Sequence, residues 1–186
     1  MRVISGRFKS RRLKAAPPAA IRPTSDKLKE TLFNILSTRV QGATFLDGCS
    51  GTGGIGIEAL SRGAAQVYFV DQSSKACRIV HENLRSLGIV EGNTILEMDI
   101  VKALDRFARD GIQFDIAFID PPYEREDLYQ GSLEGFGQRP LLTSDGILIM
   151  EYSKRKMMPD STGSLQKFRT LVQGDAVLAF YRPETT

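Results

Sequence analysis

The chain has 186 residues, of which 41% are hydrophobic and 25% are charged, a composition typical of one folded domain. Its two cysteines, Cys49 and Cys77, are too few for a disulfide framework, and no apolar run approaches the roughly 18 residues of a membrane span. These features exclude secreted disulfide-rich, membrane, fibrous and disordered proteins. We therefore expect a cytoplasmic protein with no membrane partner.

The first 30 residues are strongly basic. They hold nine Lys or Arg and two acidic residues, a net charge of +7 in a chain whose total is +3, so residues 31–186 carry −4. A basic segment on an acidic body favours a nucleic acid partner, because Lys and Arg release counterions when they neutralise phosphates. A solvated basic surface and an organellar transit peptide are the alternatives. Short strand-like runs at 2–6 and 7–13, near a glycine turn, argue against the transit peptide.

We predict two units, a basic arm over residues 1–21 and a larger domain over residues 22–186. The arm contains the β-hairpin and a stiff connector rich in Ala and Pro at 15–20. The larger domain begins with an amphipathic helix that Thr24 or Ser25 caps. The apolar face of this helix carries Leu28, Leu32, Ile35 and Leu36.

Strands and helices then alternate along the chain. Five apolar runs predict strands at 43–46, 67–70, 94–96, 114–119 and 147–150. The intervening patterns predict helices at 55–62, from 73 or 74 to 87, at 101–109 and at 126–142. Two final runs, 165–172 and 176–181, predict an antiparallel hairpin. Buried strands that alternate with helices form a parallel sheet covered on both faces, so we predict an open, doubly wound α/β fold.

A glycine-rich turn follows the first predicted strand. Gly51, Gly53 and Gly56 spell G-x-G-x-x-G between that strand and a helix. Such glycines permit a tight turn and let a ligand lie directly on backbone amides. Alone the pattern is weak evidence, and a plain strand-to-helix turn is the alternative.

Carboxylates at the ends of the first three strands indicate which ligand this turn holds. Asp71 ends the second strand, where it can accept hydrogen bonds from ribose hydroxyls. Asp47 precedes the glycines and would repel a pyrophosphate, but it suits a ligand with an amino group and no phosphate. S-adenosylmethionine is such a cofactor. Asp99, after the third strand, either accepts from the adenine amino group or caps the next helix.

Asp120, Pro121, Pro122 and Tyr123 follow the fourth strand, at the sheet edge where open α/β folds bind ligands. The alternative is a rigid proline turn with a capping aspartate. In the functional interpretation, Asp120 and the Pro121 carbonyl accept the two N–H bonds of a nucleobase amino group and free its lone pair for attack. The prolines fix these acceptors in advance, and Tyr123 stacks on the base. Methyl transfer from a sulfonium then requires neither a metal nor a covalent enzyme intermediate.

Three segments together resemble the RsmD family, bacterial methyltransferases that act on guanine N2 of 16S ribosomal RNA. They are residues 22–34, with Arg-Pro-Thr-Ser-Asp and Glu-Thr-Leu-Phe-Asn, the turn with residues 56–64, and Asp-Pro-Pro-Tyr at 120–123. The resemblance covers nearly the whole chain. The last motif alone is less specific, since DNA adenine-N6 methyltransferases use close variants. Gly48-Cys49 departs from a bulkier family pair, and we interpret Cys49 as a packing residue.

The resemblance implies a Rossmann-like methyltransferase fold, with a mostly parallel seven-stranded sheet whose last strand is antiparallel. S-adenosylmethionine would lie with its methionine end at Asp47, Gly51 and Gly53, its ribose at Asp71 and its adenine at Asp99. Residues 120–123 would receive a flipped-out guanine. The residues implied in RNA binding are Arg2, Arg7, Lys9, Arg11, Arg12 and Arg22. The implied partner is ribosomal RNA, in a small-subunit particle or an assembly intermediate, and we expect a monomer.

Three other functions remain open on the sequence alone. An adenine-N6 methyltransferase of DNA or RNA would use the same chemistry, and as a DNA enzyme it would act on another polymer. A nicotinamide-binding protein would explain the glycines but neither Asp47 nor residues 120–123. An inactive RNA-binding module would not need the acceptor motif. If the arm serves only RNA, deletion of residues 1–14 should leave S-adenosylmethionine binding intact.

Overall fold

The computed structural model describes residues 1–15 and 26–184. Arg22 and the predicted caps Thr24 and Ser25 lie outside the described residues. The helices are α1 (Asp26–Leu36), α2 (Gly54–Ser61), α3 (Ser74–Ser86), α4 (Ile100–Arg109) and α5 (Glu126–Gln138), and a 3-10 turn at Ser37–Val40 follows α1. Within residues 1–15 and 26–184, no helix is both long and apolar enough to cross a lipid bilayer.

One sheet organises the described chain. Its strands are β1 (Thr44–Gly48), β2 (Gln66–Asp71), β3 (Asn93–Glu97), β4 (Phe114–Ile119), β5 (Leu142–Ser153), β6 (Ser161–Thr162), β7 (Leu165–Gln173) and β8 (Ala176–Pro183). Their order is β3-β2-β1-β4-β5-β8-β7-β6. The first five strands are parallel, and β8 runs antiparallel between β5 and β7. The predicted doubly wound fold is confirmed, with the two-residue β6 as an eighth strand beyond the predicted seven.

Helices cover both faces of this sheet, as its apolar strands require. The core on one face includes side chains of α1, α2 and α3, such as Leu32, Ile57 and Val80. The core on the other face includes side chains of α4 and α5, such as Leu104 and Phe136. Because helices cover both faces of the parallel strands, the carboxyl edge of the sheet and its loops are left to bind ligands.

The predicted helix at 126–142 is too long. The helix ends at Gln138, Arg139 is extended, and β5 begins at Leu142. Pro140 explains the difference, since a proline disfavours the helical conformation of the residue before it and cannot itself donate to a helix. The strand predicted at 147–150 is part of β5, which is twelve residues long because it begins earlier, at Leu142.

The N-terminal arm has one antiparallel bridge, between Arg2 and Arg12, where the sequence predicts two strands. Turns and bends occupy most of the stretch between them. One reason is that helix α2 takes two of the arm's backbone donors: Ile4 N and Ser5 N donate to the Glu58 carboxylate at 2.7 and 3.0 Å. A buried backbone donor needs one partner, and here the partner lies outside the hairpin.

The arm also contributes to the main core. The side chains of Val3 and Leu13 are 1% and 6% exposed and pack in the same core as α1 and α2. The buried Lys29 amine donates to the Arg2 carbonyl at 2.5 Å and lies 3.7 Å from the Glu58 carboxylate. The arm is therefore built into the fold. We now expect deletion of residues 1–14 to expose core side chains, so it cannot isolate a role in RNA binding.

Candidate active site

The predicted carboxylates meet at one edge of the sheet. Because β3, β2, β1 and β4 are adjacent and parallel, their carboxyl ends lie side by side. Asp47 lies in β1, Asp71 ends β2, and Asp120 directly follows β4. The backbone N–H of Asp120 donates to the Gly48 carbonyl at 3.2 Å, which fixes the start of the Asp-Pro-Pro-Tyr segment against β1.

Cys49 directly follows β1 at this edge. Burial raises the pKa of its thiol well above the ordinary value, and four aspartates add to the effect. In decreasing order of influence they are Asp71, Asp120, Asp47 and Asp99. The charges of all four predicted carboxylates therefore act on this one thiol. The raised pKa keeps the thiol protonated and unreactive, in agreement with a packing role.

The glycine-rich turn has the backbone that its sequence demands. Gly51 and Gly53 have φ angles of 54° and 76°, in the left-handed region that favours glycine. Gly53 is the N-cap of α2, which begins at Gly54. A Cβ on Gly56 would collide with the ring of Phe69 in β2, so the third glycine serves the packing of helix on strand.

Asp47 is buried beneath this turn, with a relative exposure of 2%. Its Oδ2 accepts a hydrogen bond from Gly56 N at 2.8 Å. Burial raises the pKa of the carboxyl to about 8, opposed by the Gly56 hydrogen bond and assisted by the charge of Asp71. A cation placed against Asp47 would relieve the cost of ionising it in this site.

Asp71 and Asp99 both organise backbone at the site. Asp71 accepts from Gly51 N and from Ser73 N, each at 2.9 Å, and so joins the glycine turn to the entrance of α3. Asp99 caps α4 through Oδ1, which accepts from Val101 N at 2.9 Å and from Lys102 N at 3.3 Å. The sequence left a cap and an adenine contact open for Asp99. The structure shows the cap, and the adenine contact stays a prediction.

The Asp-Pro-Pro-Tyr segment is supported from behind by two residues that sequence reasoning missed. Tyr129 in α5 is 1% exposed, and its hydroxyl donates to the Pro121 carbonyl at 3.0 Å. The Lys156 amine donates to the Tyr123 carbonyl at 3.2 Å and lies 4.0 Å from the centroid of the Tyr129 ring. Lys156 also pairs with Glu126. No spacing in the sequence predicted that α5 and the loop after β5 meet at this segment.

The arm lies beside the glycine turn. A Cβ on Gly54 would meet the Met1 thioether. The amide of the buried Asn83 donates to the carbonyls of Thr52 and Lys14, at 3.0 and 3.1 Å. The arm, α3 and the turn are thus hydrogen-bonded through one side chain. The predicted RNA-binding arm and cofactor turn are neighbours in space.

The predicted RNA-binding side chains of the arm differ in their partners. Arg2 lies 3.3 Å from Asp26, Arg11 donates to the Ser86 carbonyl at 3.2 Å, and Arg7 lies over the Phe8 ring. Lys9 and Arg12 are exposed and take part in no ion pair within residues 1–15 and 26–184. Arg22 lies outside the described residues. Lys9 and Arg12 are therefore the arm's most available cations.

The acidic edge is not arranged as a metal centre. Within the described part of the chain, no three His, Cys, Asp or Glu side chains are grouped so that they could hold a metal ion. What the edge offers is a buried carboxyl, backbone amides on a glycine turn, and further carboxylates around them. This donor set matches a cationic ligand that carries an amino group and hydroxyls.

Comparison with known proteins agrees with this geometry. The family described as "Conserved hypothetical protein 95" matches residues 1–182. "Putative rRNA methyltransferase YlbH" of Bacillus subtilis (strain 168) is 36% identical over 182 residues, covering 98% of each chain. "Ribosomal RNA small subunit methyltransferase D" of Escherichia coli (strain K12) is 27% identical over 184 residues, covering 99% of this chain and 90% of the relative. The chain belongs to the RsmD family.

A solved structure extends the agreement to three dimensions. "Putative methyltransferase yhhF from Escherichia coli" superposes with a TM-score of 0.85 at 25% identity, covering 100% of this chain and 99% of the other. The predicted family and the Rossmann-like methyltransferase fold are confirmed. The protein is therefore a methyltransferase, as the sequence predicted. The roles of the individual site residues remain predictions.

Proposed function

We propose that this RsmD-family protein transfers a methyl group from S-adenosylmethionine to the N2 amino group of a guanine in small-subunit ribosomal RNA. One observation carries the proposal: the rigid Asp-Pro-Pro-Tyr bend lies against β1, beside the glycine turn, with Asp120 N bonded to Gly48 O. The curated relatives named for ribosomal RNA methylation support the choice of polymer.

The residues at the sheet edge fit S-adenosylmethionine. Asp47, Gly51 and Gly53 would hold the amino-acid end of the cofactor. The Asp47 carboxylate would lie against the positively charged amino group of that end. Asp71 would accept from the ribose hydroxyls with the lone pairs that its backbone bonds leave. Oδ2 of Asp99 would accept from the adenine amino group, since both cap bonds use Oδ1. When bound, the cofactor supplies a methyl carbon on a cationic sulfur, and the electrons of the broken C–S bond stay on sulfur.

The protein's contribution to the chemistry is to orient a weak nucleophile. The lone pair of a guanine amino group is delocalised into the ring, so the nitrogen attacks poorly. The Asp120 carboxylate and the Pro121 carbonyl would each accept one N–H bond, which draws the nitrogen towards tetrahedral geometry. Acceptors held in place before the reaction stabilise the developing positive charge on that nitrogen without reorganisation. After transfer, Asp120 would take the proton that the methylated nitrogen loses.

The polymer would be held at two places. Tyr123 would stack on the flipped-out guanine, an interaction worth about 1–3 kcal/mol per base. The arm's cations, with Lys9 and Arg12 the most available, would contact phosphates. In this proposal the arm at 1–21 serves RNA and the fold, and residues 22–186 carry the chemistry. We further propose a cytoplasmic monomer that acts on a small-subunit particle or an assembly intermediate.

Methylation assays on three substrates test this proposal. Purified protein is incubated with small-subunit particles, naked 16S ribosomal RNA or duplex DNA, and the digested nucleosides are identified by mass spectrometry. We expect N2-methylguanosine from one or both RNA substrates and no product from DNA. N6-methyladenine in any substrate would instead establish the alternative adenine chemistry. RNA from cells that lack the protein should lose one N2-methylguanosine.

A further inference from the structure

An exposed methionine lies beside the proposed base-binding site. The loop at 154–158 follows β5 at the carboxyl edge of the sheet. Within it, Met157 is 95% exposed, whereas Met158 is 8% exposed and packs in the core next to α5. Full exposure of a methionine forfeits the apolar burial that this side chain ordinarily gains.

The loop is anchored on both sides of its apex. The Lys156 amine reaches the Tyr123 carbonyl, pairs with Glu126 and lies over the Tyr129 ring. Lys154 is held at the other side by Asp175, through its backbone N–H at 2.9 Å and its amine at 2.6 Å. Because these contacts fix the loop, the exposed Met157 directly follows a residue that is bonded to the Tyr123 backbone.

The charges of the loop show how RNA would meet it. The amines of Lys154 and Lys156 are paired with carboxylates, and so add little net attraction for phosphate. Arg155 is exposed, and its guanidinium takes part in no ion pair within residues 1–15 and 26–184. After Tyr123 in the chain, Glu124 is acidic and Arg125 is paired with Asp127, so a phosphate contact falls to Arg155.

We propose that the loop at 154–158 is a second RNA contact, in which Met157 enters the base stack vacated by the target guanine while Arg155 contacts a flanking phosphate. The inference rests on the proposed function. Apolar side chains act as wedges between bases in proteins that distort nucleic acids, and a polarizable thioether packs well against aromatic rings. The wedge would hold the gap open while Tyr123 receives the guanine.

A nucleic acid fits this place better than a protein partner. Met157 is tied through Lys156 to the backbone of Tyr123, the residue on which the target base would stack. A protein seated on Met157 would cover the entrance that the base must use. A strand of RNA that carries the base brings its own neighbouring bases to the same place.

Met157→Ala tests the wedge, with Val90→Ala as the matched control. Val90 is 87% exposed, in the segment between α3 and β3. The substrate is ribosomal RNA, naked or in the particle, whichever the wild type methylates. It is prepared with the bases flanking the target guanine intact, or with both replaced by abasic residues. The abasic form has no stack to open, so it needs no wedge.

We expect Met157→Ala to lower kcat/KM about tenfold on the intact substrate, since unstacking a base step is costly, and less than twofold on the abasic one. Val90→Ala should match the wild type on both. Equal losses on both substrates would overturn the wedge, because the defect would then not depend on the flanking bases. Unchanged kcat/KM on both would overturn it as well. If the wild-type protein methylates neither naked ribosomal RNA nor the particle, the proposed function itself is contradicted.

A second measurement observes the base directly. The target guanine is replaced by 2-aminopurine, whose fluorescence rises when it leaves the stack, and the protein is saturated with S-adenosylhomocysteine. Met157→Ala should give a smaller rise than wild type at saturating protein, whereas Val90→Ala should not. Arg155→Ala should reduce the slope of log K against log salt by about 0.7–0.9, the loss of one phosphate contact. Fluorescence equal to wild type for Met157→Ala would overturn the wedge.

Discussion

The hydroxyl of Tyr129 donates a hydrogen bond to the carbonyl of Pro121, over 3.0 Å, within the buried side of the Asp-Pro-Pro-Tyr segment. A proline restricts its own φ, but the direction of its carbonyl depends on ψ and on what the oxygen contacts. Tyr129 therefore helps to aim an oxygen that we propose as an acceptor for the substrate. The carbonyl has a second lone pair for that purpose.

Tyr129→Phe should lower kcat several-fold while leaving S-adenosylmethionine affinity unchanged. The change removes only the donor, so the Pro121 carbonyl loses its fixed direction and a buried acceptor is left unpaired, at a cost of about 1–3 kcal/mol in stability. Steady-state methylation kinetics and calorimetric cofactor titration measure the two effects. Equal weakening of cofactor binding and turnover would contradict a positioning role.

Tyr181→Phe provides a matched control for this experiment. Tyr181 is also fully buried, and its hydroxyl donates to a proline carbonyl, that of Pro159, at 2.8 Å. Its loss should cost similar stability, because the same kind of bond disappears from a buried place. Its kcat should stay near the wild-type value at temperatures where both variants are folded.

Tyr123→Ala should weaken the engagement of RNA more than that of the cofactor. If the ring stacks on the guanine, its removal costs about 1–3 kcal/mol in that contact and nothing at the glycine turn. Competition binding with substrate RNA and separate titration with S-adenosylmethionine give the two affinities. Losses of equal size would argue against stacking.

Asp47 predicts a pH dependence of stability in the ligand-free protein. Its folded-state pKa is about 8, whereas an unfolded carboxyl titrates near 3.9, so the folded state binds the proton more tightly between these values. This contribution to the unfolding free energy is complete at low pH and is lost as the pH rises to about 8, by up to ~1.4 kcal/mol per pH unit. Asp47→Asn, which keeps an acceptor for Gly56 N, should remove it.

Urea unfolding at several pH values from 5 to 8.5 measures this difference. The wild-type unfolding free energy should fall more steeply with pH than that of Asp47→Asn. Parallel curves would show that Asp47 does not titrate within this window.

The two most available arm cations should account for salt-dependent RNA binding. Lys9→Ala with Arg12→Ala should weaken binding and reduce the slope of log K against log salt by about 1.4–1.8, two phosphate contacts. Arg106→Ala with Arg109→Ala, in the last turn of α4, removes the same charge from a part of the surface outside the arm. Titrations with ribosomal RNA at several salt concentrations compare the pairs. Equal effects would mean that only total charge matters.

Much of the fold could be predicted because its signals are local. Each of these signals is contained in a short stretch of sequence. Examples are the apolar runs of the parallel strands, the serine at which α3 begins and the glycine turn. The site edge followed from topology, since parallel neighbouring strands bring Asp47, Asp71 and Asp120 to one place. The sequence also contains the reason that the helix predicted at 126–142 ends early, the proline at 140.

What the sequence could not predict depends on contacts between distant segments. Glu58 receives the backbone of the arm more than fifty residues away, which turns a predicted appendage into part of the core. Tyr129 and Lys156 reach the acceptor segment from α5 and from the loop after β5. No local sequence pattern predicts these long-range contacts, because they depend on how the helices and loops pack around the sheet.

The central claim is that Asp120 and Pro121 activate an amino group by accepting its hydrogen bonds. Single-turnover methyl transfer by Asp120→Ala, at saturating S-adenosylmethionine and RNA, tests it most directly. We predict a rate reduced by ~10²-fold or more, with cofactor affinity unchanged, the expected effect of removing one preorganised group at a developing charge. A rate within a few-fold of wild type would contradict the claim.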